Sequence, residues 1–256
     1  MKAVLSIDLN CDMGEGSGAG ESGADELIMP YITSANIACG FHASDPLTMS
    51  KTVGLAVRHG VAIGAHPSYP DLAGFGRRAM ELTGDEIAAA VTYQVGALWA
   101  FCRSAGVRLH HVKPHGALYN KATDSLEVAA GIAEAIKRID PELIMVCLSN
   151  SAMVAAAQQA GTPYVEEAFA DRAYTSAGKL VSRDQPGAVL HGPETIAHRA
   201  LQMVTRKTVS AIDGKEVSLN FRTICVHGDT AGSVEIVKAI RRKLEEANVV
   251  LRRFGR

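Results

Sequence analysis

Seven times along this chain a short run rich in Val, Ile and Ala leads into a polar cluster and then, in most cases, into a helix-like segment. The runs are VLSIDLNC, TSANIAC, VAIGAH, LHHVKP, IMVCLS, YVEEAFA and TICVHG. Near-continuous apolar strands of this kind are buried on both faces, so they predict a parallel sheet covered by helices. A closed or nearly closed barrel satisfies the alternation, and so does a doubly wound sheet.

Local signals punctuate the helices. Asp45 reads as an N-cap with Pro46 at the first position and Gly60 just past the end. Thr83 and Glu86 form a capping box for a long helix that ends at Gly106. Ile87, Val91, Val95, Leu98 and Cys102 recur at helical spacing, so the longest apolar segment is a core helix, too short and too polar for a membrane span. Further helices are predicted from near Asp124 to Ile139, up to Gly161, from Pro193 to about Arg206 and from about Ala231 to Glu246. No linker interrupts the series, which predicts one domain over 1–256. The exception is a hairpin near 208–221, where Asp213-Gly214 between alternating runs predicts a type I′ turn.

The net charge is −1 and Lys and Arg are spread along the chain, which argues against a nucleic acid or a membrane surface as partner. Five cysteines with no CxxC pair read as buried free thiols in a reducing cytoplasm. No signal peptide is expected at the start, because Asp8, Asn10 and Asp12 break the early apolar stretch.

Chemistry collects at one end of the strands. In chain order the strand ends deliver Asp8, Asn10 and Asp12; Asn36, His42 and Asp45; His66; Lys113 and His115; Ser149 and Asn150; Asp171 and Arg172; His227 and Asp229. An α/β barrel builds its active site in this way. Asp45 and Asp229 also suit helix capping. His59, His191 and His198 fall on solvated surfaces, and of the adjacent His110 and His111 only one can face inward. Residues two apart share a strand face, so Asp8, Asn10 and Asp12 point together, and burying two carboxylates and an amide is costly unless they bind something. They do not make a calcium loop, since its sixth and twelfth positions would be Met13 and Ala19. The GxGxxG of Gly18, Gly20 and Gly23 sits among acidic residues before a very short helix, which does not suit a dinucleotide, and no P-loop occurs. Lys113 before Pro114 could hold an oxyanion or phosphate. One carboxylate and two imidazoles would also make an open site for a divalent metal.

The segments LNCDMGEG, MPYITSANIACGFHASDP, GVAIGAHPSYPDLAGFGRR, VKPHGALYN, EAFADRAY, LVSRDQPGAVL and VHGD resemble the LamB/YcsF family, in that family's order and over nearly the whole chain. The resemblance implies an incomplete, about seven-stranded TIM-like β/α barrel of the glycoside hydrolase/deacetylase type. It implies ATP-dependent opening of 5-oxo-L-proline to L-glutamate by a 5-oxoprolinase, of which this chain would be the A subunit beside the B and C subunits, with ATP bound without a P-loop. A deacetylase or amide hydrolase acting alone through a metal, and a non-catalytic binding protein, are the alternatives. For the ring-opening reading the expected catalytic residues are Asp12, Lys113, His115 and Asp229. Asp8, Asn10, Asn36, His66, Arg172 and His227 are expected to bind substrate. By analogy with deacetylases, a divalent metal would take Asp12, His42 and His115. Two departures stand out: Ser44 replaces the family's usual Gly, and the stretch 17–23 lacks the family's usual aromatic.

Overall fold

A computed structural model describes residues 5–16, 23–226 and 232–255. Seven parallel strands close into a barrel: β1 (Ser6–Met13), β2 (Ser34–Ala38), β3 (Ala62–His66), β4 (His111–Val112), β5 (Ile144–Leu148), β6 (Tyr164–Phe169) and β9 (Thr223–Val226). Each pairs with its neighbour in that order, and β1 pairs with β9 to complete the ring. The sequence left a barrel and a doubly wound sheet open; the β1–β9 pairing decides for the barrel. A two-residue strand, β10 (Val250–Leu251), pairs with Ser6 and Ile7, on the part of β1 that lies before its β9 register.

The helices are α1 (Gly23–Ile28), α2 (Pro46–His59), α3 (Gly84–Ser104), α4 (Gly116–Asp124), α5 (Leu126–Ile139), α6 (Ala152–Ala160), α7 (Pro193–Arg206) and α8 (Ser233–Glu246). Asp45 caps α2 through the N–H groups of Leu47 and Thr48, and the Thr83–Glu86 box caps α3, as the sequence implies. The short helix α4 was not foreseen. It begins directly after His115, inside the segment VKPHGALYN.

The strands β7 (Thr208–Ser210) and β8 (Glu216–Ser218) form the expected hairpin, but its turn differs. Gly214 alone has a positive φ, +83°, and its N–H bonds to Ala211 O. A type I′ turn needs positive φ at two successive residues, so the loop is longer than two residues and Asp213 keeps an ordinary backbone. The hairpin braces residues 171–192, where Ile212 N–H donates to Tyr174 O.

Ile7, Leu9, Cys11 and Met13 join the apolar layer between barrel and helices, which also holds Ile236 and Ile240 of α8. The alternate residues Asp8, Asn10 and Asp12 face the interior and are buried. Asp8 fastens the barrel's closure. Its carboxylate accepts from Thr33 and Ser34 at 2.6 Å on the β2 side, and from Thr223 on β9. All five cysteines are free and buried. Among the described residues no helix is long and apolar enough to cross a membrane.

Candidate active site

At the C-terminal end of the strands a cavity of about 460 Å³ opens. Its floor carries Asp12, Glu15, His66, Lys113 and His115; residues 179–184 and Arg172 form another wall. The size suits a small metabolite or part of a nucleotide.

Lys113 is nearly fully buried and encircled. Its ammonium donates to Asp12 Oδ1 (3.0 Å), Cys225 Sγ (2.9 Å) and Asn10 Oδ1 (3.3 Å), and lies 3.4 Å from Glu167 Oε2. Burial works against its charge, but Asp12, Cys225 and Glu167 outweigh it and hold the pKa well above the usual lysine value. Lys113 is thus the counter-ion of an acidic interior. Asp12 Oδ1 also accepts from Asn36 Nδ2 at 2.8 Å, while Oδ2 faces His66 Nε2 at 3.4 Å.

Glu15, three residues past Asp12, carries the signal that sequence reasoning missed. Its Oε1 lies 3.0 Å from His42 Nε2, 3.1 Å from His115 Nδ1 and 3.7 Å from His66 Nε2. Burial alone would raise its pKa, but the close approach of His115 and His42 outweighs that and lowers it. His66 Nδ1 lies 2.7 Å from Lys113 O, and His115 Nε2 lies 2.9 Å from Phe75 O. A carbonyl oxygen can only accept, so both of these nitrogens carry protons. The remaining nitrogens, His66 Nε2 and His115 Nδ1, face each other at 2.9 Å. In two neutral rings these are opposed lone pairs, which calls for a cation or a shared proton between them. Buried beside Asp12 and Glu15, His66 has its pKa raised despite desolvation.

This arrangement fits a divalent metal. Ligands about 2.0–2.1 Å from a tetrahedral Zn²⁺ stand about 3.3 Å apart, close to the separations among Glu15, His66 and His115. The carbonyls of Lys113 and Phe75 orient the two rings as outer partners of ligating histidines do. His42 is placed differently. Its ring stacks on His115 at 3.8 Å and 6°, so a cation in the plane of one ring lies outside the plane of the other. Burial pushes the His42 pKa down to about 4, and the neutral ring donates from Nε2 to Glu15. Glu15, His42, His66 and His115 thus each bring one ligand atom within 4.8 Å of the others, with Glu15, His66 and His115 best disposed around a single ion. The set expected by analogy, Asp12, His42 and His115, shares His42 and His115 with this cluster. Asp12 is turned toward Lys113 and Asn36.

Of the residues expected to meet substrate, Arg172 and His66 line the cavity. Arg172 is anchored by Ala188 O and Val181 O, at 3.3 and 2.6 Å. Asp8, Asn10 and Asn36 lie beneath the cavity, and hydrogen bonds inside the barrel occupy them. The period of two read their direction correctly but could not give their depth. His227, Asp229 and most of the segment lacking the aromatic lie outside the described residues. His59, His191 and His198 are exposed, as expected. Ser44, at the family's usual Gly, has φ +77°.

Comparison with known proteins agrees with this architecture. A solved structure, the lactam utilization protein from Thermus thermophilus, superposes with a TM-score of 0.93 at 47% identity, covering 98% of this chain and 100% of that one. The catalytic domain of a peptidoglycan N-acetylglucosamine deacetylase from Eubacterium rectale has a TM-score of 0.51 at 10% identity, over 99% of this chain and 93% of that one, a likeness of fold alone. The protein named as the A subunit of 5-oxoprolinase in Alkaliphilus metalliredigens is 52% identical, over 96% of this chain and 97% of that protein. The Rhodopseudomonas palustris protein of that name is 50% identical, over 98% and 99%. The LamB/YcsF family model matches residues 7–256, and the chain belongs to the LamB/YcsF family.

Proposed function

We propose that this chain is the A subunit of a cytoplasmic ATP-dependent 5-oxoprolinase, opening 5-oxo-L-proline to L-glutamate together with the B and C subunits. The observation that carries this reading is near-complete similarity, at about half identity, to proteins named as the A subunit of 5-oxoprolinase.

A lactam amide is a poor electrophile, so ATP would act as a co-substrate that phosphorylates the amide oxygen. Water would then attack the activated carbon, the ring C–N bond would break with a proton to the nitrogen to give γ-glutamyl phosphate, and a second water would hydrolyse that to L-glutamate and phosphate. Asp12 would hold or take the proton of the water at Oδ2, the oxygen turned toward His66. Lys113 would keep Asp12 ionised at rest. Arg172, fixed by two backbone carbonyls, would hold carboxylate or phosphate. His227 and Asp229 follow β9 in sequence and would add a shuttle and a second base. A divalent ion held by Glu15, His66 and His115 would supply Lewis acidity toward water or a carbonyl.

The test is a turnover assay with the three purified proteins. Glutamate should form only when ATP and all three are present. An inactive complete complex refutes the reading. The Glu15/His66/His115 donor set favours a second reading, a metal-dependent amide hydrolase acting alone. Turnover by this chain without ATP or partners would establish that one instead.

A further inference from the structure

Beneath the cavity floor a line of side chains leads away from Asp12, and its chemistry fixes the protons from Asp12 to His111. Asp12, ion-paired to Lys113, can only accept, so the Asn36 nitrogen 2.8 Å away is the donor. The same NH2 group donates to Asn10 Oδ1 at 2.8 Å. Asn36 Oδ1 is thereby turned to His111 Nε2 at 2.8 Å and receives its proton. Burial, with the nearby His110 and Lys113, holds His111 well below the usual histidine pKa, so the ring is neutral. Its Nδ1 faces His110 Nδ1 at 3.1 Å.

Two further residues hold the His111 ring. A Cβ at Gly64 would run into it, so glycine there leaves the ring its place. Phe254 packs on the other side, 5.2 Å from His111 and 5.0 Å from His110 between ring centres. This is costly material to bury in a barrel interior where an aliphatic side chain would pack as well, unless its hydrogen bonds are used.

We propose that His111, acting through Asn36, is a positioning residue for Asp12. The His111 Nε2–H satisfies the Asn36 oxygen, which Asp12 and Asn10 turn away from the carboxylate. Asn36 and Lys113 together then hold Asp12 Oδ1, and Oδ2 is presented to His66 and the cavity. Without that N–H, the Asn36 oxygen is left buried with no donor, and the amide shifts toward another partner, away from Asp12. Asp12 then loses its hydrogen bond from Asn36.

The inference rests on the reading of Asp12 as an acting group, so two measurements are needed. The first is nitrogen-15 NMR of the histidine side chains in the whole protein, which requires no activity. His111 should be neutral with its proton on Nε2 from pH 6 to 8. A His111 proton on Nδ1, or a charged ring, overturns the proposal. The second is kinetics of the reconstituted complex. His111→Leu should lower kcat by about 10- to 100-fold with little change in KM, one lost charge-assisted bond being a factor of that size. His111→Gln, which can still donate to Asn36, should recover most of it. A folded Leu variant with unchanged kcat overturns the proposal, as does a Gln variant no better than Leu. If wild type itself shows no turnover, the functional reading fails, and the NMR result still decides the proton arrangement.

Discussion

Replacing Asp8 with Asn is expected to stabilise the protein at pH 8 and to do so less as the pH falls. Asp8 is buried, and desolvation pushes its pKa from 3.8 up to about 6, despite hydrogen bonds from Ser34, Thr223 and Thr33. At about 1.4 kcal/mol per tenfold change in proton affinity, the charged form is disfavoured by about 3 kcal/mol on folding. A folded-state pKa above the unfolded one means that the folded protein binds the extra proton between pH 6 and pH 3.8. Stability from this group therefore grows as pH falls through that window and is absent well above it. Asn avoids the charge but turns an NH2 toward Thr223, which already accepts from Asn10, and one hydrogen bond worth about 1 kcal/mol is lost. The net gain at pH 8 should be about 2 kcal/mol. Between pH 8 and pH 5 wild type recovers about 1.5 kcal/mol, so the two proteins converge. Urea denaturation of both proteins at pH 5, 6, 7 and 8 measures this. A stability difference that does not change with pH, or a variant less stable than wild type at pH 8, would refute the reasoning.

Ser44→Gly should raise stability by about 0.5–1 kcal/mol, because φ +77° costs a side chain more than glycine loses in unfolded-state entropy; thermal unfolding reads it as a rise in Tm. Gly64→Ala should cost about 2 kcal/mol or more by displacing the His111 ring, and that cost should largely vanish in a His111→Ala background, which a double-mutant cycle by denaturation measures. Co²⁺ or Zn²⁺ titration followed by calorimetry should give about one ion per chain; Glu15→Gln and His66→Ala should each weaken binding at least about tenfold, and His42→Ala should weaken it less.

The barrel was legible because its evidence is local. Seven apolar runs with their caps give strand and helix positions, and the asymmetry of polar residues at the strand ends gives the site's location. Individual roles were less legible because they depend on distant partners. Lys113 looked like a ligand for an outside anion, yet Cys225, 112 positions away, helps to saturate it. Glu15 was read as one more charge in a glycine-rich stretch. Its approach to three histidines follows from where the chain turns after Met13, which the strand period does not reach. His110 and His111 were correctly limited to one inward ring. Which ring, and that it meets Asn36, needed the register of β3 against β4.

Asp8 meets Thr223 across 215 positions of the chain, and Asn10 meets it across 213. During synthesis β1 emerges with carboxylates whose partners do not yet exist, so its polar face has to stay hydrated while β2 to β6 are made. Only when β9 docks do those groups leave water, and they leave it together. Closure is then a late, collective event of high contact order, and a half-built barrel has no dry interior in which its charges could settle on wrong partners.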